Sequence, residues 1–320
     1  MKWCKSCNST HDAKAVVCPK DGSFLVVMQE NQVDEELPQL KAVIGDHYEL
    51  VAGPIRGSKR GVYKARHLLV DRTVIIKILL PELKHLGDVV QRFQNETKMM
   101  AMIAHPGVAH SLDMGLTPAN NPYQVGEFCE GSTLDQLLRA DEIETAELIT
   151  VFNQLCHALD AVHKQKIVHL ALKPNHIMVH FPAKNQVVTY LLDFYQSEEI
   201  GYQTQNAVDI PALFRNCGFP SPELLKGEKL DQRADVYSLG CVLFKALTGK
   251  AVFTGTDAKE LARMHMEDKP RQLHQAAPGK SFPAVLNNCV MTALEKEPAN
   301  RYQSMLDMQR DLMMIAPSLL

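Results

Sequence analysis

The strongest constraint on the fold of this chain is a change of period near Gly131. Before it come short runs rich in β-branched and aromatic residues; after it, apolar residues recur at helical spacing. Tyr48-Glu49-Leu50-Val51, Gly61-Val62-Tyr63-Lys64-Ala65 and Thr73-Val74-Ile75-Ile76-Lys77-Ile78-Leu79 read as strands of a sheet built from hairpins. One helix should interrupt them, because Val89, Phe93, Met100 and Ile103 fall at helical intervals. Beyond Gly131, Ser132-Thr133-Leu134-Asp135 resembles a capping box, and Leu148, Phe152, Leu155, Leu159 and Val162 form a three-and-four stripe for a long helix. A loop at His169, a hairpin around Val187–Phe194, a polar segment to Pro222 and a very apolar helix over Val236–Leu247 follow. Strands first and helices afterwards predict an α+β domain with two lobes, and they exclude a doubly wound sheet.

The whole-chain properties narrow the function classes. At 320 residues there is room for one large or two modest domains with a real core. Apolar residues make up 46% and charged residues 22%, as in a soluble globular protein, and a net charge of -3 leaves no electrostatic footprint for nucleic acid. No apolar run reaches the length of a membrane span, and the start at Met1-Lys2-Trp3-Cys4 has no signal-peptide pattern. Of eight cysteines, Cys129, Cys156, Cys217, Cys241 and Cys289 are scattered, which predicts buried reduced thiols and a cytoplasmic setting.

The motifs carry more. Val74-Ile75-Ile76-Lys77 is followed by Glu96 within Arg92-Phe93-Gln94-Asn95-Glu96. His169-Leu170-Ala171-Leu172-Lys173-Pro174-Asn175-His176 precedes Asp193-Phe194-Tyr195. Ser221-Pro222-Glu223, then Asp231-Gln232-Arg233-Ala234-Asp235-Val236-Tyr237-Ser238, then Asn300-Arg301-Tyr302 complete the series. In this order they resemble the bacterial serine/threonine protein kinases over roughly residues 46–312. The resemblance implies a β-rich N-lobe over 46–126 and a helical C-lobe over 130–316, after a linker at 27–45. It also implies roles. Lys77 would contact the α/β-phosphates with Glu96 as its helix partner, and Asp193 would be the magnesium ligand. Gly57, Val62, Glu127 and Cys129 would border the nucleotide, the last two on the hinge. Glu223 should pair with Arg301, and Phe194, His169, Met100 and Leu112 should stack as an apolar core.

Departures from the family cluster where chemistry is expected. Ala171 stands at the base position and cannot accept a proton, although Lys173 is retained; losing a general base costs about 10²–10⁴-fold in rate. His176 replaces the second magnesium ligand with a nitrogen donor, whereas Mg²⁺ prefers oxygen. The phosphate loop reads Ile55-Arg56-Gly57-Ser58-Lys59-Arg60, keeping only Gly57 of three glycines, which predicts a closed hairpin with solvated basic residues. Ile75 crowds the adenine position while Gly126 opens space beside the hinge. Tyr195 stiffens the segment after Phe194, and Leu170 removes the arginine that would bind a phosphorylated activation segment.

At the N-terminus, Cys4-x-x-Cys7 and Cys18-Pro19-Lys20-Asp21-Gly22 resemble the knuckles of a zinc ribbon over residues 1–26. Cys4, Cys7, Cys18 and Asp21 would hold a structural zinc, with His11 as the competing fourth ligand. The combined expectation is a pseudokinase that works by binding a protein partner, with weak nucleotide binding through Lys77, Lys173 and Asp193. The alternatives are a slow atypical serine/threonine kinase using ATP and magnesium, and a zinc-ribbon interaction module carried on a kinase-fold platform.

Overall fold

The computed structural model describes residues 37–194, 196–203 and 208–319, together with the backbone pairing of three short strands nearer the N-terminus. Those strands are β1 (Lys2–Trp3), β2 (Thr10–His11) and β3 (Val26–Val27). They form an antiparallel sheet in the order β2-β1-β3, with Lys2 opposite both His11 and Val27. Cys4, Cys7, Cys18, Asp21 and Tyr195 lie outside the described residues.

Two compact units make up the rest, divided between Glu130 and Gly131, where the sequence period changes; residues 193–194 belong with the first unit. This first unit is the N-lobe. Its six-stranded antiparallel sheet runs in the order β4-β5-β6-β7-β9-β8, from β4 (Val43–Ile44), β5 (Tyr48–Arg56), β6 (Arg60–His67) and β7 (Arg72–Leu79) to β8 (Ser111–Leu116) and β9 (Pro122–Glu127). Alternation decides what each strand buries. Val74, Ile76 and Ile78 of β7 join Tyr63 and Ala65 of β6 and Tyr123 and Val125 of β9 in one core, while Ile75 and Lys77 take the opposite face. The sheet begins before residue 46: Ile44 pairs with Tyr48, Leu37 belongs to the same core, and the Tyr63 hydroxyl donates to the Pro38 carbonyl at 2.8 Å.

Helix α1 (Gly87–Met102) buries Phe93, Glu96, Thr97 and Met100, and Phe93 packs with Leu79 against Val89 and Val90. Leu112 does not join an apolar stack. It is the extra residue of a bulge between Ser111 and Asp113, on an edge strand, and remains 45% exposed.

The second unit is the helical C-lobe. It opens on β10 (Ser132–Thr133) and α2 (Leu134–Ala140), where Thr133 is the N-cap, one residue later than the sequence suggests. The Gln136 backbone N–H donates to Thr133 Oγ1 at 3.3 Å and the Thr133 N–H donates to Gln136 Oε1 at 2.8 Å. The expected stripe lies on α3 (Thr145–Lys164), with Leu148, Phe152, Leu155, Leu159 and Val162 all buried. Burial spreads to Val151, Cys156 and Ala158, beyond one amphipathic face. Then come β11 (Ile167–Val168), the hairpin β12 (Ile177–His180) and β13 (Val188–Leu191), and β14 (Glu198–Glu199), which pairs with β11. Gly131 is obligatory at the lobe entry: its φ is +115°, and a Cβ there would lie 2.1 Å from the Val179 carbonyl oxygen.

The remaining helices are α4 (Ile210–Cys217), α5 (Pro222–Lys226), α6 (Arg233–Thr248), α7 (Ala258–Glu267), α8 (Leu273–Ala276), α9 (Ala284–Ala293) and α10 (Met305–Leu319). Helix α6 is buried along nearly its whole length, as its apolar sequence demands. The polar segment before Pro222 contains α4, which the sequence reading missed. Asp209 caps it by accepting from the Ala212 N–H at 3.1 Å, Pro211 occupies its first turn, and Phe214 and Cys217 are buried. The five scattered cysteines are buried thiols outside any disulfide. Burial raises the thiols of Cys129, Cys241 and Cys289 to about 12, which makes them poor nucleophiles. Among the described residues, no helix is long and apolar enough to cross a membrane.

Candidate functional site

In the helical lobe, strand β11 delivers the chain into the loop at His169 and the buried Asp235 of α6 fixes it there. The Asp235 carboxylate accepts from the His169 N–H at 2.8 Å, from the Leu170 N–H at 2.9 Å and from His163 Nε2 at 2.8 Å. Burial alone would raise the Asp235 carboxyl, but the His163 bond and the backbone donors outweigh it and hold it below the ordinary carboxylate range. Clamping two successive N–H groups to one carboxylate accompanies a left-handed Leu170, at φ 59°. The Leu170 side chain drops into a cluster with Val168, Leu230 and Ala234, lined by Ile200, Tyr202 and Leu224.

Ala171 is 1% exposed and held by its neighbours on both sides of its peptide. Its N–H donates to His169 Nδ1 at 3.2 Å, so the His169 proton sits on Nε2 and is donated to the Leu192 carbonyl at 3.2 Å. Its carbonyl accepts from His176 Nδ1 at 2.9 Å. The two substituted positions of the loop are thus bonded to each other. Lys173 reaches the C-terminal turn of α4, with Nζ 3.5 Å from the Asn216 carbonyl, and a Cβ on Gly218 would meet the Lys173 Cβ at 3.1 Å.

In the N-lobe, a chain of charges runs through residues of the sheet, α1 and Asp193. Lys77 Nζ donates to Glu96 Oε1 at 2.8 Å, and Arg60 donates to Glu96 Oε2 at 2.6 Å and also to Asp193 Oδ2. Side-chain exposures of 17% for Lys77, 0% for Glu96, 13% for Arg60 and 19% for Asp193 place the group largely out of water. Burial would lower the Arg60 guanidinium, but the Asp193 and Glu96 carboxylates hold it above its ordinary value. Arg60 is therefore not a solvated loop residue, which corrects the expectation from sequence. The closed hairpin itself is present: the Gly57 N–H donates to the Arg60 carbonyl at 2.8 Å.

The other expected nucleotide neighbours are placed by the strand register of the N-lobe. Val62 and Gln124 are the cross-strand partners of Lys77, and Ile75 stands opposite Gly126, a residue without a side chain. Glu127 forms a surface pair with Arg72 at 3.3 Å, and its N–H donates to the His110 carbonyl at 2.9 Å. Cys129 is buried. The Lys77–Glu96 pair has the geometry that a phosphate-contacting lysine requires. The residues do not fit magnesium. Asp193 is engaged by a guanidinium, Glu96 is shared between two cations, and the loop position expected to supply a second oxygen is His176, whose Nδ1 is bonded to a carbonyl.

A two-lobed fold with this lysine–glutamate pair and this loop defines a class. A model of the protein kinase domain matches residues 56–312, and the chain belongs to the protein kinase family, with bacterial serine/threonine kinases as relatives. The serine/threonine-protein kinase PknB of Mycobacterium tuberculosis is 33% identical over 276 residues, covering 85% of this chain and 43% of PknB. The probable serine/threonine-protein kinase CPE1738 of Clostridium perfringens is 32% identical over 274 residues, covering 84% of this chain and 38% of that protein. The chain thus spans less than half the length of these relatives. The solved Mycobacterium tuberculosis PknI kinase domain superposes with a TM-score of 0.65 over 87% of this chain and 99% of its own, at 20% identity, a likeness of fold.

Proposed function

We propose that this domain is a pseudokinase, a kinase fold that regulates or scaffolds a protein partner without transferring phosphate at a useful rate. The observation that carries the reading is the catalytic loop. Ala171 supplies a buried methyl group where proton acceptance is needed, and its carbonyl is tied to His176 at 2.9 Å. The test is transfer of labelled γ-phosphate from ATP to the chain itself and to a generic protein substrate, with and without divalent metal. None above background is expected. Metal-dependent transfer that vanishes in Lys77→Ala would overturn the reading.

A second reading, a slow serine/threonine kinase, is favoured by the Lys77–Glu96 contact at 2.8 Å. Positioning carries much of phosphoryl transfer, so a lost base slows the reaction without abolishing it. On this reading the double variant Ala171→Asp with His176→Asn gains about 10²–10⁴-fold in phosphotransfer over the unchanged protein, the usual worth of a positioned base. A repaired protein, folded by circular dichroism, that gains nothing rejects it.

The N-terminal segment supports an accessory reading, a zinc-held docking module. Strands β1 and β2 bracket Cys4 and Cys7 in the sequence and pair with each other, and a segment this short needs a staple to fold. Metal analysis of protein purified without chelator is expected to return one zinc per chain, lost in Cys18→Ser. A chain without zinc, or with zinc unaffected by that substitution, rejects the module. Partner binding that persists after removal of residues 1–26 assigns the interaction to the kinase fold instead.

A further inference from the structure

We propose that Arg60 is a resident cation standing in for a divalent metal: it holds Asp193 and Glu96 in place and keeps magnesium and manganese off Asp193. The inference concerns metal binding alone and stands whether or not the domain retains phosphotransfer.

The sheet places Arg60 where this role requires. Along β6 the buried face is Gly61, Tyr63 and Ala65, so Arg60, Val62 and Lys64 take the other face. Lys77 lies opposite Val62 in the register, which makes Arg60 its diagonal neighbour on the same surface. From there the guanidinium reaches the carboxylate that Lys77 already holds, and each Glu96 oxygen takes one cation, at 2.6 Å and 2.8 Å. Two further bonds pin the backbone beneath it: the Arg60 carbonyl accepts from the Gly57 N–H at 2.8 Å, and the Lys59 carbonyl accepts from the Leu80 N–H at 2.9 Å. Arg60 is the first residue of β6, so its backbone is fixed by the sheet.

The charges balance without a metal. Arg60 and Lys77 face Glu96 and Asp193, two cations to two carboxylates. A divalent ion on Asp193 would sit beside the guanidinium and repel it in a partly water-excluded setting. Driving Arg60 off Asp193 would break a charge pair of a largely desolvated guanidinium, a costly change. The fork of the guanidinium suits two carboxylates, whereas Mg²⁺ demands near-octahedral oxygen coordination, and among the described residues no group of three or more His, Cys, Asp or Glu side chains could hold a metal ion.

Mn²⁺ titration of the full chain, read by the free-ion electron paramagnetic resonance signal with and without ADP, tests the assignment. The unchanged protein is expected to take up no Mn²⁺ at Asp193. Arg60→Ala should bind Mn²⁺ about tenfold or more tightly, the scale on which one adjacent charge shifts an ionisation. The gain should disappear in Arg60→Ala with Asp193→Asn, and Arg60→Lys should behave like the unchanged protein. If Arg60→Ala is not folded by circular dichroism, Arg60→Gln carries the test, because it removes the charge and keeps hydrogen-bond donors. Equal Mn²⁺ affinity with and without Arg60, including none in either, overturns the proposal. So does Mn²⁺ binding by the unchanged protein that Asp193→Asn abolishes.

Discussion

Replacing Arg301 by alanine is expected to destabilise the helical lobe by about 3–5 kcal/mol, the usual cost of leaving a buried carboxylate without its partner. Arg301 spends all five of its N–H donors inside the lobe. Nη1 and Nη2 each donate to a Glu223 oxygen at 2.8 Å. The remaining donors go to the carbonyls of Glu295 at 2.7 Å, Arg233 at 2.9 Å and Lys296 at 2.8 Å. The guanidinium also lies 5.0 Å from the Tyr237 ring centroid, a desolvated cation–π contact. The pair fastens the start of α5 to the segment before α10, and its geometry is bidentate, which separates it from an ordinary surface salt bridge. Lysine should not rescue it. An ammonium has three donors for five acceptors, so Arg301→Lys leaves at least two buried acceptors short, at about 1–3 kcal/mol each. Urea unfolding followed by circular dichroism gives both numbers. A loss below about 1 kcal/mol in the alanine variant would place the pair among weak surface contacts and refute the assignment.

That anchor belongs to the part of the chain that keeps the family pattern, and so does Asp235. The substitutions fall elsewhere. Ala171 and His176 remove a carboxylate and an oxygen ligand from the loop, and Arg60 brings a cation to Asp193. Glu223, Asp235 and Arg301 hold the helical lobe together, so an active and an inactive kinase fold need them alike.

What could be read from the sequence was what local spacing encodes. The α3 stripe, the apolar α6 and the alternation of β7 follow from periodicity, whereas the pairs Lys77–Glu96 and Glu223–Arg301 were implied by the resemblance to the protein kinases. Arg60 was misjudged because its partners, Glu96 and Asp193, lie 36 and 133 residues away, and no local pattern reports such a meeting. Leu112 was misplaced because a single bulge turns a residue out of the strand alternation. Helix α4 did leave a signal: Asp209 before Ile210-Pro211, then Phe214 and Cys217 at helical spacing. Its polar flanks hid it.

Acid should weaken the helical lobe well above the range where carboxylates titrate, and His265 is the cause. This α7 residue is 3% exposed, with its ring centroid 5.1 Å from Phe253, 5.6 Å from Phe214 and 5.9 Å from Tyr237. Its Nδ1 accepts from the Tyr237 hydroxyl at 2.9 Å, and Lys296 Nζ donates to its carbonyl at 2.7 Å. Burial first, and then the Lys296 charge, press the imidazole down to about 3. The unfolded chain holds the same group near its ordinary value of about 6.5. Between those values the unfolded state binds a proton that the folded state refuses, so stability is complete above about pH 6.5 and falls as pH drops, by about 1.4 kcal/mol per unit. Over the whole window the loss approaches about 5 kcal/mol, most of the stability of a typical domain. Asp235 adds an acid loss of the same sign in a lower window, because a carboxyl held down in the fold gives up its contribution only below about pH 4. Lys296, pressed by burial to about 8, changes stability only above that pH. Asp235 and Lys296 add no slope between pH 5 and 6.5, and comparison with a variant lacking the His265 imidazole separates it from the other histidines of the chain. His265→Gln offers an uncharged side chain with an acceptor for the Tyr237 hydroxyl. Its urea midpoint should fall less steeply across that interval than the unchanged protein's. Parallel slopes for the two proteins would show that His265 is not the group that acid attacks.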